Sequence, residues 1–211
     1  MPRRPRLSRV GTHFPTTVFR WGERHTYLGE EVGHLWFSRI IGQDSYGNLM
    51  ATWRGPMDVR LENVRDQTER LQWSKGARIS GPDLFHTVAE FPQIGNDLIL
   101  MYTFQAMLAD ELAERVMALG GKATVKGTDV YVDGAKLNVG VCAASPSSCT
   151  MHFGVNIGFK GDPPIPEGVR ASCLSDLLKG DEAGAVELME DVGSAWLSRI
   201  DDLHRKAYKT V

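Results

Sequence analysis

Between residues 97 and 119, Met101, Phe104, Leu108, Leu112, Val116 and Leu119 fall three, four, four, four and three positions apart. That spacing draws one apolar stripe at 3.6 residues per turn, which predicts a long helix with one face buried. Glu111, Glu114 and Arg115 lie off the stripe, and Gly120-Gly121 offers the left-handed stop that helix ends favour. A helix of this kind needs an apolar surface to lie on, and the flanking sequence reads as strands. Residues 84–91 are rich in β-branched and aromatic side chains and are closed by Pro92. Downstream come short apolar runs at 123–125, 130–132, 137–143 and 150–159. Asp133-Gly134 between two of these runs is a strong hairpin signal, and Pro146-Ser147-Ser148 makes a second turn, so a three-stranded meander is expected.

The N-terminal part is less patterned. Residues 1–30 read as an irregular segment, and 31–211 as a single domain. The segments 35–41 and 49–54 read as a hairpin around the turn-forming residues 42–48, with Pro56 ending the second strand. Residues 63–75 fit a short helix or a surface loop, and the proline- and glycine-rich 160–168 a loop. The stretch 181–209 fits a final helix with Val186, Met189, Trp196, Ile200 and Leu203 roughly on one face; Gly184 and Gly193 weaken it by up to about 1 kcal/mol each relative to alanine. Strands in antiparallel groups, with one long helix between them and one at the end, predict an α+β fold around a mixed or mainly antiparallel sheet. No glycine-rich turn leads from a strand into a helix, which argues against a Rossmann domain or a P-loop.

Composition supports an ordinary globular domain. The chain has 211 residues, 42% hydrophobic and 24% charged, with a formal net charge of −2. That balance points to neither nucleic acid nor a membrane surface. Arg3, Arg4, Arg6 and Arg9 make the first nine residues basic; they read as a solvated terminus before a nucleic-acid arm, and no apolar region follows that would make them a signal peptide. No apolar run approaches the ~20 residues of a membrane span. Cys142, Cys149 and Cys173 are odd in number and widely spaced, as reduced thiols of a cytoplasmic protein would be.

Two stretches carry a resemblance. In 126–140, Asp129 opens a strand, Gly134 sits in the turn, and Lys136 starts the return strand ahead of Gly140. This resembles the central motif of biotin protein ligases, lipoate ligases and octanoyltransferases. His152, Gly154 and Asn156, within Thr150 to Ile157, resemble the same superfamily's next strand. A weaker echo is Arg78, Ser80 and Gly81 followed by His86, similar to an Arg-x-Ser-Gly-Gly-Gly loop and its histidine. Arg54-Gly55-Pro56 and the His-Phe-Gly-x-Asn-Ile signature at 152–157 resemble an uncharacterised branch, domain-of-unknown-function family 366. The resemblance spans about residues 50–180 and implies the biotin/lipoate ligase-like catalytic-domain fold, shared with class II synthetases, more firmly than any activity.

The resemblance implies catalytic roles for Lys136, Asp129 and His152. Lys136 would meet the substrate carboxyl where negative charge develops, Asp129 would hold a nucleotide hydroxyl, a metal or the lysine, and His152 would orient substrate or shuttle a proton. By residue type alone, Lys136 is equally a surface hairpin lysine, Asp129 a turn residue and His152 a structural histidine. Arg54, Arg78, Ser80, Gly81, His86, Gly154 and Asn156 are the candidate substrate-binding residues. Arginine can grip a carboxylate or phosphate bidentately, and glycine lets a ligand approach the backbone. Gly81 is followed by Pro82, which has no N–H, so the amide nest that cradles phosphate is poorer and use of ATP as cofactor is in doubt. Cys173 lacks the Pro-Cys-Gly context of octanoyltransferase nucleophiles and reads as an ordinary thiol, Cys142 reads as core, Gln105 reads as a helix-surface amide, and no ligand spacing marks a metal site at His86 and His152. The implied partners are a small-molecule acid or acyl group, with a carrier protein as acceptor and a homodimer as options. The competing functions are an enzyme transferring or activating an acyl group and a non-catalytic domain binding a nucleotide or carboxylic acid.

Overall fold

Along Ser80–Phe91 the side chains of Leu84, His86 and Val88 alternate with those of Phe85, Thr87 and Ala89, and all six are buried. A strand covered on both faces belongs in the middle of a sheet that is itself covered on both faces. The computed structural model, which describes residues 5–41, 47–73 and 78–210, builds that arrangement. In chain order the elements are β1 (Arg6–Val10), β2 (Thr16–Arg20), α1 (Trp36–Ile41), β3 (Asn48–Asp58), α2 (Gln67–Trp73), β4 (Ser80–Phe91) and α3 (Leu98–Ala118). There follow β5 (Ala123–Lys126), β6 (Asp129–Val132), β7 (Ala135–Lys136), β8 (Asn138–Ala144), β9 (Cys149–Gly158), α4 (Leu174–Leu177) and α5 (Glu182–Tyr208). The main sheet runs β1-β2-β3-β4-β9-β8, and β5-β6-β7 form a small second sheet. Among the described residues, every pairing of one of these strands with another is antiparallel except that of β2 with β3, and isolated parallel bridges join Tyr27 to Met57 and Lys136 to Ala171. The α+β organisation with an antiparallel-dominated sheet is as the sequence predicts.

One face of the sheet carries α3 and α5. Asp97 caps α3 by accepting from the Leu100 N–H at 2.9 Å, and Gly120, at φ +88°, closes it with bonds from Gly120 and Gly121 back to Met117 and Val116. The stripe residues Met101, Phe104, Leu108, Leu112 and Val116 meet Met151, Phe153 and Trp196 in the larger core. Each such side chain contributes about 1.5–3 kcal/mol by leaving water. The Trp196 indole donates to the Phe104 carbonyl at 2.7 Å, which fixes α5 against α3.

Among the described residues, the other face carries no long helix. It is covered by the chain between β2 and β3 and by the stretch after β3, so that Tyr27, Trp36, Phe37, Val59 and Val64 pack on Trp53, Leu84 and Val88. Among the described residues no helix is long and apolar enough to cross a membrane.

Several local expectations are corrected. Residues 1–30 are not irregular throughout: β1 and β2 form the outer hairpin of the main sheet, Arg6 pairing with Arg20 and Val10 with Thr16. The run 35–41 is not a strand and makes no hairpin with 49–54; it turns into α1, which drives Trp36 and Phe37 into the aromatic cluster. Of its expected turn, residues 42–46 lie outside the described residues. Pro56 does not end β3, because it sits in a bulge between Gly55 and Met57 where no ladder N–H is needed. There the Pro56 carbonyl accepts from Tyr27 at 2.9 Å. The segment 67–73 resolves as helix, with Asp66 accepting from the Thr68 and Glu69 N–H groups. The predicted meander is two hairpins in two different sheets: Lys136 pairs with Tyr131 in the small sheet, and two residues later Asn138 pairs with Val155 in the large one.

Candidate functional site

The second face of the sheet holds the polar group that the core does not absorb. On β9, alternation points His152 and Gly154 to that face, and β4 places His86 opposite Gly154. A Cβ on Gly154 would stand 3.0 Å from His152 Cε1 and 3.2 Å from Leu84 Cδ2. The glycine is thus the room in which the His152 ring lies. His152 Nε2 is 3.0 Å from His86 Nδ1, and His86 Nε2 is 3.1 Å from the Gly55 carbonyl oxygen. Tyr27 stacks on His152 with ring centres 3.6 Å apart and 11° between planes, and Trp53 lies 5.2 Å from His86. Both imidazoles are buried. Burial pushes His86 down to about 3 despite the Gly55 carbonyl, and holds His152 well below the usual histidine range, with His86 adding to the effect. The pair is neutral at physiological pH.

Lys136 reaches the same region from β7. The tight turn at Asp133 (φ +49°) and Gly134 (φ +76°) reverses the chain, so Lys136 comes beside Tyr131 and diagonal to Asp129. Its Nζ lies 2.8 Å from Asp129 Oδ2, with the lysine side chain 34% exposed. The strand is clamped from outside: Lys136 N–H donates to the Arg170 carbonyl, and Ser172 N–H donates to the Lys136 carbonyl, both at 2.9 Å.

Lys136 and His152 line one cleft. Its walls mix apolar side chains, among them Met57, Val59, Ile79, Val139 and Val141, with polar ones, among them Asn63, Arg65 and Glu69. The Glu69 carboxyl is pushed above its usual range, first by loss of water and then by Asp66, while Lys136 draws it back. A second hollow shares Lys136 and Glu69 and is bordered by Arg78, Ser80, Asn138 and Asn156. Lys136 therefore stands between two hollows.

The structure brings Lys136, Asp129 and His152 to one region, with Arg78, Ser80 and Asn156 around the adjoining hollow. Ser80 Oγ donates to the Pro164 carbonyl at 3.2 Å, and Asn156 Nδ2 donates to the Ser172 carbonyl at 3.0 Å. Other expectations are corrected. Arg54 is not at this site: its guanidinium holds Asp83 at 2.9 and 3.1 Å and also Glu182, and Arg24 joins the same aspartate at 2.9 Å. His86 is no loop residue but lies in the middle of β4, behind His152. Gly81 is part of β4, and a Cβ there would sit 2.8 Å from Leu84 Cδ1, so the 80–82 segment is packed strand rather than a loop of amides open to an anion. Gln105 is buried, not on a helix surface; its Nε2 donates to the His152 carbonyl at 2.9 Å. Gly140 makes that approach possible, since a Cβ there would come 2.9 Å from Gln105 Nε2. Cys142 and Cys173 are buried, burial raises both thiols, and Cys173 Sγ lies 3.3 Å from Ser175 Oγ. No group of three or more histidine, cysteine or acidic side chains with metal-binding geometry occurs among the described residues.

Sequence reasoning missed Tyr27, Arg65 and Glu69. Tyr27 lies in a stretch with no periodicity, and the other two lie in a charged run that reads as solvated surface. Val139 and Val141 carried a usable signal, the alternation of β8 about Gly140.

A family model described as DUF366, domain of unknown function, matches residues 17–211. The uncharacterized protein MJ0805 of Methanocaldococcus jannaschii is 26% identical over 191 residues, covering 90% of this chain and 81% of that protein. A solved protein of unknown function from Pyrococcus horikoshi overlays with a TM-score of 0.77 at 27% identity, covering 91% of this chain and 96% of the other. Biotin protein ligase from Aquifex aeolicus in complex with biotin and ATP overlays with a TM-score of 0.49 at 14% identity, covering 88% of this chain and 72% of that one. An overlap at that level carries no functional weight.

Proposed function

The chain belongs to the DUF366 family, whose description names no activity, and from that premise we propose that its cleft takes a small carboxylic acid or acyl group whose charged end is met by Lys136. The observation that carries this reading is the ammonium of Lys136, held by Asp129 at 2.8 Å, bordering a cleft that Met57, Val59 and Ile79 line with apolar side chains. An apolar wall suits the carbon body of an acid, and a cation at the mouth suits its carboxylate. Asp129 orients the lysine and tempers its charge, so a ligand carboxylate exchanges one ion pair for a shared one. A transferase or ligase acting on such a group, with a carrier protein as acceptor, extends the same reading. Lys136 then stabilises charge developing at the carbonyl.

A second reading, recognition without turnover, is favoured by a specific observation. Both histidines are held neutral, which makes them weak bases, and burial raises the Cys173 thiol away from the reactive thiolate.

A thermal-shift screen of the wild type and Lys136→Ala against ATP, biotin, lipoate, octanoate and acyl thioesters tests the proposal. At a hundredfold excess over Kd, an acid or thioester that binds raises the wild-type Tm by roughly 5 °C or more, and K136A loses most of that rise. No shift with any acid, or an equal shift in K136A, contradicts the proposal. Stabilisation without turnover selects the second reading.

A further inference from the structure

The hydrogen bonds behind the cleft fix what His152 can offer a ligand. The Gly55 carbonyl can only accept, so His86 Nε2, 3.1 Å away, carries the proton of that ring. A neutral imidazole has one N–H, which leaves His86 Nδ1 as an acceptor. Its partner at 3.0 Å, His152 Nε2, must then be the donor. By the same count His152 Nδ1 carries a lone pair and no proton. Among the described residues, Gln105 Oε1 is the only buried side-chain nitrogen or oxygen without a hydrogen-bond partner. His152 Nδ1 makes no hydrogen bond to a described residue and is not a buried atom of that kind, so it is reached from open space, and the space that His152 borders is the cleft. The ring cannot turn to present another edge: Tyr27 covers one face at 3.6 Å, and Gly154 lies close against its Cε1 edge.

We propose that His152 presents a fixed hydrogen-bond acceptor to the cleft, so that its ligand is a two-ended acid: a carboxylate or carbonyl at Lys136 and a hydroxyl, amide or amine hydrogen at the buried end. His86 is a positioning residue, since it touches no ligand and acts by holding the proton of His152 on the far nitrogen. The proposal rests on the acid-binding reading above and narrows it, because acids with a plain hydrocarbon end leave the buried acceptor unpaired. An unmade bond of this kind lowers affinity by about three- to tenfold.

Two measurements on the intact protein test it. Long-range proton–nitrogen correlation spectra of the free protein report the tautomer of His152; Nε2–H with a bare Nδ1 is expected, and Nδ1–H overturns the proposal. Binding of hexanoate against 6-hydroxyhexanoate, and of octanoate against 8-hydroxyoctanoate, is then measured by calorimetry. A preference of about three- to tenfold for a hydroxy acid, reduced to about one in His152→Phe, is expected. Equal affinities, or tighter binding of the plain acids, overturn the inference and leave the acid-binding reading standing. Binding of none of the four acids overturns that reading and the ligand assignment with it.

Discussion

At Gly154 one added methyl group presses directly on the candidate site. The glycine's missing side chain is the space beside the His152 ring and Leu84 Cδ2. Gly154→Ala is expected to displace His152 from His86 and Tyr27, to lower stability by about 1–3 kcal/mol, and to change the His152 ring resonances. A variant with unchanged urea midpoint and unchanged histidine spectrum would contradict the packing described. The two histidines also set a pH dependence. Folded His86 takes its proton only below about 3, whereas an unfolded histidine does so below 6.5. Between those values the unfolded chain binds the extra proton, so stability rises with pH to about 6.5 and is level above it. At pH 5 the effect amounts to about 2 kcal/mol for His86, with His152 acting in the same direction. Urea unfolding at pH 5 and pH 7 checks this, and His86→Gln should flatten part of the slope.

Among the elements, the predictable ones are those whose neighbours repeat. The stripe of α3 and its Gly120-Gly121 stop are readable because a helix on a sheet needs one apolar residue per turn. The Asp133-Gly134 turn is readable because few other pairs accept two left-handed conformations in succession. The α1 segment is not readable, since six residues span too few turns to show a period and Trp36 and Phe37 suit a strand equally well. β1 and β2 escape notice because proline, arginine and glycine surround them and an edge hairpin is only half buried. What holds that hairpin down is remote in sequence: Asp201 of α5 accepts from the N–H groups of Thr12, His13 and Phe14 at 2.6–2.8 Å. Asp201→Ala strands three backbone donors and is expected to cost about 2–4 kcal/mol, read as a lower midpoint in urea. A loss under about 0.5 kcal/mol would show that the contact does not anchor the hairpin. Leu112→Ala, in the fully buried stripe of α3, is expected to lose about 2–5 kcal/mol by leaving a cavity.

At the scale of the whole molecule, the two faces of the sheet do different work. The face under α3 and α5 is closed by helices whose stripes are visible in the sequence. The opposite face is closed by irregular chain, and there the cleft forms, because loops cannot pack a sheet as evenly as helices do. Lys136, Asp129 and His152 are legible as candidates through their motif, and the structure places them near one another. Arg54 is misread because a strand-end arginine near a glycine looks the same whether it meets a ligand or, as here, Asp83 and Glu182. The partnership of His86 with His152 is invisible in sequence, since it depends on β4 and β9 being neighbours although the two residues are 66 positions apart. Titrating the wild-type protein with hexanoate while following the Lys136 side-chain and His152 ring resonances tests the central claim most directly. Both sets of resonances should move with one shared Kd, about tenfold weaker in Lys136→Ala; saturation that leaves both unmoved, or no saturation at all, would contradict the account.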